Sequence, residues 1–125
     1  MMALNKVFIA GRLTRKPELR KTPNGMAVTD LFVALNREFV TQGGEKQQEV
    51  CFVDVVVWGK QAEACVQYLD CSSTVFVEGR LQLDVWYGKD ANDKRCKLRV
   101  AADRVQFLDR LQATQTQEKF ASQAN

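Results

Sequence analysis

The side chains able to do chemistry in this chain are flat rings and cations, set close together in strand-like runs. In Phe52-Val53-Asp54-Val55-Val56-Val57-Trp58, an extended backbone sends alternate side chains to opposite faces. Val53, Val55 and Val57 make one aliphatic row, suited to a core. Phe52, Asp54, Val56 and Trp58 make the other, with two large rings flanking a carboxylate. A ring beside a charge marks a face that is wet and still needs flat surfaces. Such surfaces suit stacking on unpaired nucleic-acid bases, because every base has a π-face. The competing account is half-buried packing of the same rings. Trp86 repeats the pattern, sharing a face with Phe76, Glu78, Arg80, Gln82 and Asp84. Val75, Val77, Leu81, Leu83 and Val85 share the opposite one, so core packing does not account for Trp86.

Gripping a phosphate backbone calls on cations. They occur early, at Lys6, Arg12, Arg15, Lys16, Arg20 and Lys21, and late, at Lys60, Arg80, Lys94, Arg95, Lys97 and Arg99. A solvated surface is the default for any one of them. Arg20, Lys60 and Arg80 are the expected contacts. With 18 Lys and Arg against 15 Asp and Glu, the net charge of +3 permits a phosphate-binding surface without demanding one.

Enzymatic and metal chemistry are poorly served. There is no histidine, and none of Cys51, Cys65, Cys71 and Cys96 has CxxC spacing. No Gly-rich phosphate loop and no paired carboxylates in a plausible cleft appear. No catalytic residue, metal site or cofactor is expected.

These side chains need a scaffold. Residues 4–13 form the first expected strand, with Lys6, Phe8 and Ala10 on one side, Val7 and Ile9 on the other, and a bend at Gly11. A basic loop over 15–21 contains Pro17, and Pro23-Asn24-Gly25 signals a turn. A second strand is expected over 26–36, then a long polar finger around Gly43 and Gly44, then the central strand, closing at Gly59. Ala62, Cys65, Val66 and Leu69 fall on one face of a short helix, which ends at 70–73. A fourth strand is expected over 74–86, with a bend at Gly79, and a flexible hairpin over 88–93. The fifth strand, 94–108, sends Cys96, Leu98 and Val100 inward and Arg95, Lys97 and Arg99 outward. Cys51, Cys65 and Cys96 are expected as buried, reduced thiols, which fits a reducing compartment. One domain over 1–108 and a loose polar tail over 109–125 are expected. No run approaches the roughly 18 apolar residues of a membrane span, and the first strand starts just behind Met1-Met2-Ala3. A soluble, cytoplasmic protein without a membrane partner is expected.

Three strands, a short helix and two strands is the order of the OB-fold, an all-β, five-stranded Greek-key barrel with its helix between strands three and four. Other small barrels share parts of this pattern. The sequence also resembles the bacterial single-stranded DNA-binding protein (SSB) family. The resemblance rests on Asn5-Lys6-Val7 with Gly11 and Leu13, Pro17-Glu18-Leu19-Arg20, Pro23-Asn24-Gly25, Trp58-Gly59-Lys60-Gln61-Ala62-Glu63, Tyr68-Leu69 and Val75-Phe76-Val77-Glu78-Gly79-Arg80-Leu81. It covers residues 4–108 in register. It implies an OB barrel that binds single-stranded DNA without sequence preference, in replication, recombination and repair, as a homotetramer without enzymatic activity. Carried over by position, the base-stacking residues it implies are Phe39, Phe52, Trp58 and Trp86.

Two departures from the family pattern stand out. Asp54, Asp70, Gln82 and Asp84 occupy positions where the family often carries arginine or lysine. A DNA path shifted toward residues 12–21 and the fifth strand, or a weaker and more stacking-dependent affinity, is expected. The family commonly ends in an acidic, hydrophobic tip that recruits replication and repair enzymes, whereas this sequence ends Phe120-Ala121-Ser122-Gln123-Ala124-Asn125. Either the sequence is trimmed or this is a specialised paralogue that does not recruit partners that way; replication and repair enzymes stay possible partners. Rival functions are a primosomal-type, plasmid, phage or recombination-dedicated paralogue, and an RNA- or oligosaccharide-binding OB module.

Overall fold

Six strands and one helix position the rings. The computed structural model describes residues 2–108. They form β1 (Val7–Leu13), β2 (Leu19–Lys21), β3 (Ala27–Val40), β4 (Lys46–Trp58), α1 (Gly59–Tyr68), β5 (Thr74–Tyr87) and β6 (Lys94–Leu108). The sheet order is β1-β5-β6-β4-β3-β2, and a further β1–β3 pairing closes it into a barrel. β4 pairs with β6 in parallel, through Val55 with Val100 and Val56 with Ala101. Every other pairing is antiparallel. Five long strands with the helix between the third and fourth make this the expected OB-fold.

The core is the inward row of each strand. Leu13, Leu31, Val33, Val55, Val57, Val75 and Val77 are sealed inside, and Ala62, Cys65 and Leu69 close one end from α1 and its exit. Each large aliphatic side chain buried this way contributes roughly 1.5–3 kcal/mol. The helical periodicity at Ala62, Cys65 and Leu69 is thus a packing face, as the sequence implies. Gly11 and Gly79 make close approach between strands possible. A Cβ on Gly11 would lie 2.5 Å from the Ala34 carbonyl oxygen, and one on Gly79 would overlap the Ala101 carbonyl. The β5–β6 register shifts at Glu78 and Gly79, the expected bend in that strand.

Several expectations need correction. The basic loop over 15–21 is not all loop, because Leu19–Lys21 pairs with Ala27–Thr29 of β3. Residues 15–18 stay outside the ladder, and the buried Thr29 hydroxyl ties the segment down by donating to the Glu18 carbonyl at 2.8 Å. β3 runs past Asn36 to Val40, and β4 begins at Lys46, because the two pair continuously from Val28 with Trp58 to Val40 with Lys46. Both sides of that ribbon are wet, so apolar alternation did not announce it. Gly59 opens α1 instead of closing the strand. Val56, assigned to the wet face, is buried with Val28 and Ala101 in a small second cluster.

The inward assignment also fails on part of the β5–β6 hairpin. Leu81, Leu83, Val85, Cys96 and Leu98 are exposed. β1 pairing ends at Val7 with Gly79, and β4 pairing is confined to Val55 and Val56, so the hairpin runs on beyond the strands that could cover it. Cys51 is exposed for a similar reason, lying in the β3–β4 ribbon, and only Cys65 is a buried thiol. The tail expected over 109–125 lies outside the described residues.

Candidate nucleic-acid interface

Register decides which side chains share a surface. Phe32 lies opposite Asp54, Ala34 opposite Phe52 and Val28 opposite Trp58. In the β5–β6 half of the sheet, Asp84 lies opposite Lys97 and Trp86 opposite Arg95. The β4–β6 pairing joins the two halves, and an ion pair between Lys97 and Asp54 spans the junction. Strand alternation therefore puts Phe32, Phe52, Trp58 and Trp86 on one outer face. Phe52 is 71% exposed, Trp86 45% and Trp58 43%, so none of the three is committed to the core.

Phe39 does not join them. It lies on the β3–β4 finger opposite Gln47, on the odd-numbered side of β3 with the core residues Leu31 and Val33. The Arg37 guanidinium sits 5.2 Å from its ring centroid. An open groove of about 500 Å³ on the finger is lined by Glu38, Phe39, Val40, Lys46, Gln47 and Gln48.

Two of the three expected cations are already paired. Arg20 donates to Asp30 at 2.8 Å, and Arg80 to Asp103 at 3.1 Å. Lys60 is exposed in the first turn of α1, two residues beyond Trp58, and has no ion-pair partner among the described residues. Arg20 stands two strands from Trp58 on one rung, through Val28.

The carboxylates noticed in the sequence fall in two places. Asp54 and Asp84 are on the ring face. Asp70 is not: it follows α1, where its Oδ1 accepts the Cys71 N–H at 2.8 Å. Asp54, Asp84 and Asp30 line a cleft of about 290 Å³ with Phe32, Trp86, Lys97 and Arg99. Gln82 donates to Asp84 Oδ1 at 2.8 Å and Arg99 to its Oδ2 at 2.9 Å. The Gln82 hydrogen bond and then the Arg99 contact hold the Asp84 carboxyl below its ordinary pKa, against the opposing effect of burial.

The strand pattern over 26–36 does not single out Phe32 as a site residue. Its signal was Asp30, two residues earlier on the same face of β3, which marks that face as polar. The Arg15 guanidinium stacks 3.8 Å from the Phe32 centroid. A second cleft, of about 200 Å³, opens there between Arg15, Lys16, Glu18, Arg20, Asp30 and Phe32.

Comparison with known proteins identifies the family. Residues 4–108 match the model of the Single-strand binding protein family. The single-stranded DNA-binding protein of Wolinella succinogenes is 44% identical over 111 residues, 89% of this chain and 68% of that protein. That of Bacillus cereus is 44% identical over 107 residues, 85% of this chain and 61% of that protein. The chain thus spans roughly two thirds of the curated relatives it matches. Among solved structures, the wild-type single-stranded DNA binding protein from Thermus aquaticus superposes with a TM-score of 0.73 at 32% identity. That match covers 86% of this chain and 51% of the other. A Plasmodium falciparum SSB in complex with ssDNA has a TM-score of 0.78 at 21% identity, over 87% of this chain and 98% of that one, and shares the fold. By barrel topology, by the outward rings and by sequence over nearly all the described residues, the chain belongs to the Single-strand binding protein family.

Proposed function

We propose that this chain binds single-stranded DNA without sequence preference, coating and protecting it during replication, recombination and repair. Exposed rings of Phe52, Trp58 and Trp86 on one sheet face carry this reading. Each base stacked on such a ring contributes about 1–3 kcal/mol, whatever its identity. Duplex DNA keeps its bases paired and offers the rings nothing comparable. Lys60, Arg20 and Arg80 border the face and supply phosphate contacts, Arg80 by exchanging Asp103 for a phosphate and Arg20 while it keeps Asp30. Phe39 contributes least, because its ring lies on the opposite side of the finger and is already partnered by Arg37. Coating a single strand requires no catalytic group, and the setting is the bacterial cytoplasm. No helix among the described residues is long and apolar enough to cross a membrane.

Assembly into a homotetramer is part of the same proposal. It is supported by the exposed apolar row of Leu81, Leu83, Val85 and Leu98, on the side of the hairpin opposite Trp86. A Leu83→Glu variant is expected to sediment as a smaller species than the native assembly. An unchanged mass would remove this row from the assembly surface.

The deciding experiment is quenching of tryptophan emission by poly-dT, poly-rU and duplex DNA over a salt series. Trp58 and Trp86 are the only tryptophans, so the signal comes from the face itself. Strong quenching by poly-dT, weaker by poly-rU and little by duplex is expected. Unchanged emission with poly-dT would overturn the reading, and a preference for poly-rU would reassign it to RNA.

A further inference from the structure

The middle of the ring face is electrically closed. Three carboxylates, Asp30, Asp54 and Asp84, meet three cations, Arg20, Lys97 and Arg99. Arg99 is the most enclosed of the cations, with its side chain one fifth exposed at 20%. It donates through Nη1 to Asp84 at 2.9 Å and through Nη2 to Asp30, bridging β5 and β3 from β6. Its Nε is buried and has no hydrogen-bond partner.

Position on the sheet would count Arg99 among the phosphate contacts, since it faces outward between the rings. Its surroundings argue otherwise. A phosphate close enough to feel Arg99 also meets two carboxylates, and both terminal nitrogens are already engaged. Displacing those carboxylates would leave them part-buried and unpaired, which is more costly than leaving a surface charge unpaired. We propose that Arg99 is a positioning residue that makes a neutral floor for stacked bases and takes no phosphate. The sugar-phosphate chain then runs along the rim cations, while bases pass over the floor between Phe32, Phe52 and Trp86. The carboxylates that seemed to oppose DNA binding instead turn phosphates outward and bases inward. This inference rests on the single-strand-binding reading.

Counterion release makes it measurable. Each phosphate contact to a single strand adds roughly 0.7 to the slope of log affinity against log salt. Poly-dT titrations, followed by tryptophan quenching across a NaCl series, give that slope for each variant. R99Q is expected to leave the slope within about 0.2 of wild type, a small part of one contact. In a D30N/D84N background, where Arg99 is released, the same R99Q change should lower it by roughly 0.7. Should R99Q alone not fold, D84N/R99Q leaves Asp30 on Arg20 and is expected to keep the wild-type slope. A fall of roughly 0.7 on removing Arg99 from the otherwise native chain would overturn the inference and leave single-strand binding standing. So would an equal R99Q effect in both backgrounds. Absence of wild-type quenching by poly-dT would remove both.

Discussion

Arg99 Nη1 lies 2.9 Å from Asp84 Oδ2, tying β6 to β5 on the face that carries Trp86. Asp84 is charged in this contact, and its pKa is lowered from 3.8, first by the Gln82 hydrogen bond and then by Arg99. A carboxyl whose folded pKa is depressed stabilises fully above its unfolded pKa, and that contribution is lost as pH falls through the folded value. The urea midpoint should therefore hold at neutral pH and begin to fall below about pH 4. D84N should show a smaller acid-induced fall than the native chain. Parallel pH profiles would show that Asp84 contributes nothing to acid sensitivity.

Ring truncation separates binding from folding. Phe52→Ala and Trp86→Ala should each weaken poly-dT binding by about 1–3 kcal/mol. Both rings are exposed, so urea midpoints should change little. Phe39→Ala should cost less than about 1 kcal/mol, because its ring lies on the other side of the ribbon and is already partnered by Arg37. Affinity by anisotropy, alongside urea melts, tests all three. A larger loss from Phe39 than from Phe52 would move the centre of the interface onto the finger.

The barrel bend at Gly79 should be intolerant of side chains. Gly79→Val forces atoms into the Ala101 carbonyl and Ala102 Cα, and is expected to destabilise by about 1–3 kcal/mol or more. Gly88→Ala meets only the Asp93 side chain, which can swing away, and should cost much less. Urea unfolding of the two variants measures the difference.

Thiol accessibility reports on both core and assembly. Burial pushes the Cys65 thiol up to about 11, so at pH 8 it is neither exposed nor ionised. Cys51 and Cys71 are exposed and should react promptly with an aromatic disulfide reagent, while Cys65 should react only on unfolding. Cys96 lies opposite Val85 in the apolar row of the hairpin. It should be slow in the assembled protein and fast in Leu83→Glu. Site-resolved labelling by mass spectrometry checks each rate, and prompt modification of Cys65 in the folded protein would contradict the packing.

Much of this molecule was legible in one dimension, because local physics sets strand and helix periods. The alternating valines of β4 and the helical spacing of Ala62, Cys65 and Leu69 depend on neighbours in sequence, as does the outward direction of Phe52, Trp58 and Trp86. Gly79 marked the bend in β5. The exposed underside of the β5–β6 hairpin was misjudged, since apolar alternation looks the same whether or not another strand covers it. The same limit hid β2, whose backbone partners lie on β3.

What the sequence by itself determined is which residues alternate, where the chain bends and which rings face away from the aliphatic rows. Those follow from steric and hydrophobic patterning along the chain. The tertiary structure alone decided that Asp54, Asp84 and Asp30, distant in sequence, meet Lys97, Arg99 and Arg20. It also placed Phe32 beside them and set Phe39 apart. Coulomb energy depends on separation in space, and register between strands, which no local pattern records, fixes that separation.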